Sequence, residues 1–337
     1  MTSAPMSGVE RGVELEDQGS IETSGGREIV GRSPWQIARR RLRQDKVSMA
    51  ALVLVVVTVI IAIATPFLNA AGVLDPESFH PNLITGLGSL PSGSWGGISL
   101  HHPLGVEPGT GRDVLSRVMV GVSLSLAIAS SATLLSIVLG ILFGVVSGYV
   151  GGATDFWSSR FMDLVLSFPQ TLMLLALSSV LKPRITSLGV PAGSMTDAAY
   201  LVLVLGFFGW PYPARILRGQ VLSLRNREFI EAARSLGAPR RRIWFRELLP
   251  NLWAPIIIYV SLTLPLNIGA EAALSFLGVG IQPPTPSLGS ILSGSVNYYS
   301  ADPAYFYLPG TVLVLIVLAY NMLGDGLRDA LDPKANR

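Results

Sequence analysis

Cysteine is missing from this sequence, and charge is scarce: only 14% of the residues are Asp, Glu, Lys or Arg. The first absence excludes a disulfide framework, a thiolate metal site and a cysteine nucleophile. The second falls well short of a soluble domain, in which about a quarter of residues are charged. Lysine occurs only as Lys46, Lys182 and Lys334. None precedes Ser or Thr and none closes a GxxxxGK run, so the chain has no phosphate-cradling loop, and any ATP that drives it binds to another polypeptide. The histidines are His80, His101 and His102. The adjacent pair lacks the i, i+4 spacing that sets two imidazoles on one helix face, so a solvated or locally bonded pair is expected rather than a metal site. With every histidine in one stretch, no Ser/His/Asp set can be argued.

What the sequence has instead is apolar length: half the residues are hydrophobic and the mean hydropathy is +0.50. Residues 1–33 are polar and aperiodic, a composition that cannot offset its ordering entropy, and a disordered tail is expected there. Arg39, Arg40, Arg41, Arg43 and Lys46 follow, and then VSMAALVLVVVTVIIAIATPFL (47–68) runs without a charge. Crossing a bilayer as a helix takes about 20 such residues. The run is longer than a signal-peptide core of about 7–15 residues and no small-x-small cleavage site follows, so a retained span is expected. The same test marks 118–147, 161–181, 198–217, 249–271 and 304–324. Pro211 and Pro213 are expected to break the end of the fourth span. Pro169, Pro255, Pro265 and Pro309 are tolerable where neighbouring helices satisfy the freed carbonyls. Gly140, Gly144 and Gly148 recur at four-residue spacing and would permit close helix contact.

Basic residues set the orientation. The N-terminal segment, the 215–246 loop and the C-terminal tail hold most of the Lys and Arg, whereas 69–111 and 272–303 hold none. The positive-inside rule puts the basic segments in the cytoplasm, and six spans put both termini there. Lys182 and Arg184 fall on the other side and count mildly against this. The Pro- and Gly-rich 69–111 stretch carries Phe79, Trp95 and Leu104 and is expected to be an ordered extracytoplasmic cap. The expected division is a cytoplasmic, largely disordered basic tail (1–46), a first transmembrane helix (47–68), an extracytoplasmic loop (69–117), a transmembrane core (118–325) with a cytoplasmic loop at 219–249, and a cytoplasmic tail (326–337).

The fourth loop reads REFIEAARSLGAPRRRIWFRELLPN (227–251). Phe229, Ala232, Ala233 and Leu236 recur at helical spacing. Gly237 stands where a helix ends in positive φ, Pro239 suits the first turn of a second helix, and Ile243, Trp244 and Leu248 make a second stripe. The segment therefore reads as helix, glycine turn, helix. From the residues alone, a hairpin lying on anionic lipid and a protein-docking element remain close alternatives. A nucleic-acid face is disfavoured by the tethering between spans.

EAA, three residues, Gly, then a stretch ending in Leu-Pro resembles the signature loop of ABC-importer permeases: Glu231, Ala232, Ala233, Gly237, Leu249 and Pro250. HPLG (102–105), GRDVLSR (111–117), SFPQTLMLLAL (167–177), EAALSFLGVGIQPPTPSLG (271–289) and NMLGDGLRDALDP (321–333) extend the likeness to the second-type permease of dipeptide and oligopeptide importers, over about residues 35–333. Three positions depart from that pattern: Glu247 replaces the usual Ile or His, EPGTGRD replaces a more acidic stretch, and Leu288 replaces an aromatic.

The resemblance implies an all-α integral membrane protein of six transmembrane helices with the type I ABC importer (MetI-like) permease fold. It implies a second permease sharing one pathway, two ATPase subunits that hold ATP and Mg, an extracytoplasmic solute-binding protein, and no cofactor, enzymatic activity or nucleic acid in this chain. The six loop residues would form a coupling helix seated in an ATPase cleft, with Ala232 and Ala233 keeping its face low and Gly237 permitting the turn. Di- or oligopeptides are the implied solutes. Nickel chelates, glutathione and oligosaccharides are alternatives within the family, and an ion-coupled secondary transporter or a membrane scaffold are alternatives outside it. Glu271, the only acidic or basic side chain between 248 and 301, is expected at the end of the fifth span or in the pathway. Asp325, Arg328 and Asp329 read as a solvated helix end.

Overall fold

The computed structural model describes residues 34–86, 89–93 and 95–331. The expectations for the tail to residue 33, and for the last residues with Lys334, lie outside these. Helix α1 (Pro34–Gln44) stops at Asp45, whose carboxylate accepts the Val47 and Ser48 N–H groups and so caps α2 (Lys46–Ala70). Its bonds, that of the Ser48 hydroxyl above all, hold the Asp45 carboxyl below its ordinary pKa. At 1.5 Å per residue, the 25 residues of α2 reach about 37 Å, enough to cross a hydrocarbon layer of about 30 Å. The described residues between 71 and 113 form a cap that is irregular apart from a 3-10 turn at Pro81–Leu83. Helix α3 (Val114–Val150) follows, and its 37 residues outlast the same layer, as the extension of the 118–147 run required.

The stretch expected as a third span is not one helix. It divides into α4 (Gly152–Ser167), α5 (Gln170–Ala176) and α6 (Ser178–Ser187). Pro169 has no N–H and clashes with a helical residue before it, and Phe168 accordingly turns to φ −88°, ψ 125°. The expected break at the fourth span is absent. Trp210 stays helical (φ −63°, ψ −27°) between α7 (Ser194–Gly209) and α8 (Pro211–Leu224), and Pro211 fits the first turn of α8. The rest comprises α9 (Glu228–Ser235), α10 (Arg240–Arg242), a π-helical turn Ile243–Leu248, α11 (Leu249–Asn251), α12 (Trp253–Phe276), α13 (Leu288–Ser295) and α14 (Pro303–Leu331). Among the described residues five helical stretches, not six, are long and apolar enough to span: Lys46–Ala70, Val114–Val150, Ser194–Leu224, Trp253–Phe276 and Pro303–Leu331.

Helix α3 is the centre of the packing, against α8, α7, α12 and α2, while α14 closes on α12, α2 and α1. The glycine stripe explains the closest of these contacts. A Cβ on Gly140 would stand 2.7 Å from the Pro213 ring, one on Gly144 2.7 Å from the Ala214 carbonyl oxygen, and one on Gly148 2.9 Å from that of Arg218. Only hydrogen at these three positions lets α8 lie backbone-to-backbone on α3. Arg218 grips Asp155, with Nη2 2.8 Å from Oδ2, and Arg215 pairs with Asp163, tying α4 to α8. At the other end Lys182 pairs with Asp197 at 2.7 Å and Thr186 bonds Thr196 at 3.1 Å, tying α6 to α7. The broken run thus lies antiparallel to α7–α8 over its whole length.

Candidate coupling site

Glu228 and Glu231 occupy the first turn of α9 and Arg234 the last, each with the sign that suits the helix dipole. The Arg234 guanidinium lies 4.9 Å above the Tyr149 ring of α3. At the C-terminus Gly237 takes φ +76°. The Ala238 N–H bonds the Ala233 carbonyl at 3.0 Å and the Gly237 N–H bonds that of Arg234 at 2.9 Å, the paired bonds of a Schellman stop. Pro239 then enters α10. Helix, glycine turn and second helix are thus where the spacing predicts them. The second helix differs in detail, since it widens to π over Ile243–Leu248. Pro250 has no N–H for the Arg246 carbonyl, and the widened turn brings Ile243 and Leu248, five residues apart, to one face.

That face is the seat. Ile230, Ile243, Leu248 and Leu252 are buried against Ile137 and Val145 of α3 and Leu217 and Val221 of α8. Of the stripe read from the sequence, only Ala233 turns partly inward. Phe229, Ala232 and Leu236 face out, with Leu236 88% exposed, and Phe245 joins them at 66%. The residue missed was the anchor, Ile230, although its place three residues before Ala233 was a usable signal. Glu231 and Gly237 are exposed, as is Pro250; Leu249 is half-buried in the same apolar cluster as Ala233. Glu247 is half-buried, and its carbonyl accepts the Asn251 amide at 2.7 Å. Arg240, Arg241, Arg242 and Arg246 are all exposed. The segment is a firmly seated double helix with an apolar outward face and a basic rim.

Glu271 lies five residues before the end of α12 and is fully buried in the chain's own packing. The Ser275 hydroxyl donates to its Oε1 at 2.7 Å and accepts the Ile281 N–H at 3.0 Å, with Ser125 of α3 and Ser287 alongside. Glu271 therefore stands where α12, α3 and the start of α13 meet. The described part of the cap does not bury its aromatics: Phe79 and Trp95 are exposed at 62% and 70%, although the Arg112 guanidinium lies 4.5 Å over the Phe79 ring, and Leu104 is half-buried. Polar ties hold it instead. His102 Nδ1 lies 3.0 Å from Asp113, which in turn caps α3 through the Ser116 N–H at 2.7 Å. Buried Arg117 reaches Glu107 at 3.6 Å and the carbonyls of Pro76 and Pro284, and the Tyr305 hydroxyl donates to Glu107 at 2.7 Å. The Ser78 N–H holds the Asp75 carboxyl below its ordinary pKa, while burial pushes Asp302 up. Among the described residues no three His, Asp or Glu side chains converge as metal ligands.

The family model described as binding-protein-dependent transport system inner membrane component matches residues 136–337, and that for the N-terminal TM domain of oligopeptide transport permease C matches 33–80. The chain is 34% identical over 302 residues, 90% of each sequence, to the dipeptide transport system permease protein DppC of Alkalihalophilus pseudofirmus. It is 33% identical over 308 residues, 91% of each, to the oligopeptide transport system permease protein OppC of Haemophilus influenzae. It is 36% identical over 305 residues, 90% of this chain and 91% of the other, to the glutathione transport system permease protein GsiD of Escherichia coli. A solved inward-facing structure of the MetNI methionine ABC transporter superposes with a TM-score of 0.51 at 20% identity, covering 64% of this chain and 96% of that one, a likeness of fold.

Proposed function

The chain belongs to the family of binding-protein-dependent transport system inner membrane components, a multi-pass permease of an ABC importer, and we propose that its importer carries di- or oligopeptides. The relatives support that class, since dipeptides, oligopeptides and glutathione all present peptide amides. On this reading the chain shares one pathway with a second permease, takes solute from an extracytoplasmic binding protein, and draws on ATP and Mg held by two ATPase subunits.

Six crossings with both termini in the cytoplasm fit this role. The five long helices supply five, and the α4–α6 run, paired end to end with α7–α8, supplies the sixth. The basic α1 and the arginine-rich 225–246 segment then lie inside, and 69–117 lies outside. On the outside Lys182 pairs with Asp197, while Arg184 stays exposed and still counts mildly against this orientation.

The observation that carries the coupling role is the two-sided build of residues 228–251. Ile230, Ile243 and Leu248 fix the segment to α3 and α8, while Phe229, Ala232 and Leu236 are left bare. A bare apolar face on a seated helix pair is a docking surface. Glu231, Ala232, Ala233, Gly237, Leu249 and Pro250 form the lever on which ATPase closure pushes, and Glu271 holds the base of α13 to α12 and α3. The ATPase's different affinity for ATP in its two conformations supplies the energy. The test is reconstitution of the chain with its second permease and ATPase subunits in liposomes. ATP-dependent uptake of radiolabelled trialanine, lost in Glu231→Lys at equal incorporation, is the expected result. Uptake driven by a proton or sodium gradient without the ATPase would overturn it.

A further inference from the structure

Residues 167–171, SFPQT, interrupt a membrane-crossing run near its midpoint. The 16 residues of α4 precede the break, α5 and α6 follow it, and the two ends of the run are fixed by the Asp155–Arg218 and Lys182–Asp197 pairs. Among the described residues no backbone N–H reaches the carbonyls of Leu166, Ser167 or Phe168; the first helical bond after the break runs from Met173 to Pro169 at 3.1 Å. The break faces away from the core. Met162 and Val165, on the opposite side of α4, are buried against Trp210 and Ala214, whereas Ser167, Phe168, Pro169 and Thr171 are exposed.

Open backbone at this depth is stable only where protein covers it or water reaches it, because hydrocarbon offers no donors. The second interruption of the same run shows the covered case: near the α5–α6 junction the Tyr200 hydroxyl of α7 bonds the Leu174 carbonyl. Among the described residues the Phe168 break has no such partner, and its exposed side chains Ser167 and Thr171, with half-buried Gln170, are a polar patch among Leu164, Leu172 and Val180. We propose that the SFPQT break lines the water-filled translocation pathway and offers its main-chain carbonyls to the N–H donors of the passing solute. This rests on the permease reading above and adds the contact site. Backbone acceptors recognise amide and ammonium donors without regard to side chain, which suits solutes that vary in sequence but share a peptide backbone.

The natural absence of cysteine gives a clean test. Ser167→Cys and Thr171→Cys, in the complete importer in liposomes, are treated with a positively charged methanethiosulfonate, with Val56→Cys, exposed on the uncharged part of α2, as control. Because only a thiol in water forms the reactive thiolate, both positions should label at least about tenfold faster than the control. Millimolar trialanine should slow them, and its fully N-methylated analogue should not. Labelling no faster than Val56→Cys would overturn the proposal, since a packed partner helix or lipid then covers the break. Fast labelling that trialanine leaves unchanged, in vesicles that do take up trialanine, would also overturn it. Vesicles that take up no trialanine with the wild-type chain would instead refute the peptide reading, and the labelling rates would still decide whether the break faces water.

Discussion

Gly237 sets the angle between the two helices of the segment proposed to couple the chain to its ATPase, and its backbone allows a graded perturbation. Its φ of +76° is strained for residues with a side chain, and a Cβ there would meet nothing within 4 Å. Substitution therefore costs conformational energy without a clash. Alanine in the left-handed region loses about 1–2 kcal/mol, asparagine less because its side chain bonds locally, and a β-branched residue more. Since 1.4 kcal/mol is a factor of ten, alanine should lower the population of the native turn about five- to thirtyfold relative to its alternatives. The seat of Ile230, Ile243 and Leu248 is untouched, so insertion and assembly should persist while the push of the ATPase is absorbed by a turn that yields. The assay measures ATP hydrolysis and trialanine uptake in the same proteoliposomes at matched incorporation. Solute carried per ATP should fall in the order Gly, Asn, Ala, Val. Equal ratios for Asn and Val, or a wild-type ratio throughout, would refute the argument that this φ carries the coupling.

Two further outcomes follow from packing. In Gly144→Val the new Cβ stands 2.7 Å from the Ala214 carbonyl oxygen and 3.0 Å from the Leu217 Cβ; separating α3 from α8 should cost about 1–3 kcal/mol or more, read as a lower melting temperature in detergent, whereas Gly219→Val, with open space around it, should melt as wild type. Arg117→Met should loosen the cap by about 3 kcal/mol or less, because it leaves the Glu107 carboxylate without its cation; the Tyr305 and Thr110 hydroxyls still donate to Glu107, and its side chain is 15% exposed, which limits the cost. Limited proteolysis between residues 71 and 113 reads this directly, and Arg117→Met with Glu107→Gln should recover most of the protection.

Lipid makes some features legible from sequence. The uncharged 47–68 run gives α2 almost to its ends, because every backbone group in hydrocarbon must bond within the helix. Gly237 is legible for a similar reason, since few residues but glycine sit easily at φ +76°. The third span is not, because hydropathy sums composition over a window and the Leu, Met and Ala residues of SFPQTLMLLAL outweigh Ser167, Gln170 and Thr171; one proline acts on two neighbours and barely changes the sum. The orientation of α9 is likewise set from outside, since α3 and α8 supply the apolar seat that chooses Ile230 over Phe229. The cap is expected from sequence, but what holds it is not legible there. Its aromatics invite a reading as core, yet it is held by bonds such as Tyr305 to Glu107, 198 residues apart.

The bare face of Phe229, Leu236 and Phe245 also bears on the life of the chain before assembly. On the proposed function, a copy that leaves the insertion machinery ahead of its ATPase presents this patch to the cytosol, where chaperones and proteases recognise exposed apolar surface. Unassembled copies should be short-lived, so that the amount of this subunit in the cell follows the supply of its partner rather than its own rate of synthesis.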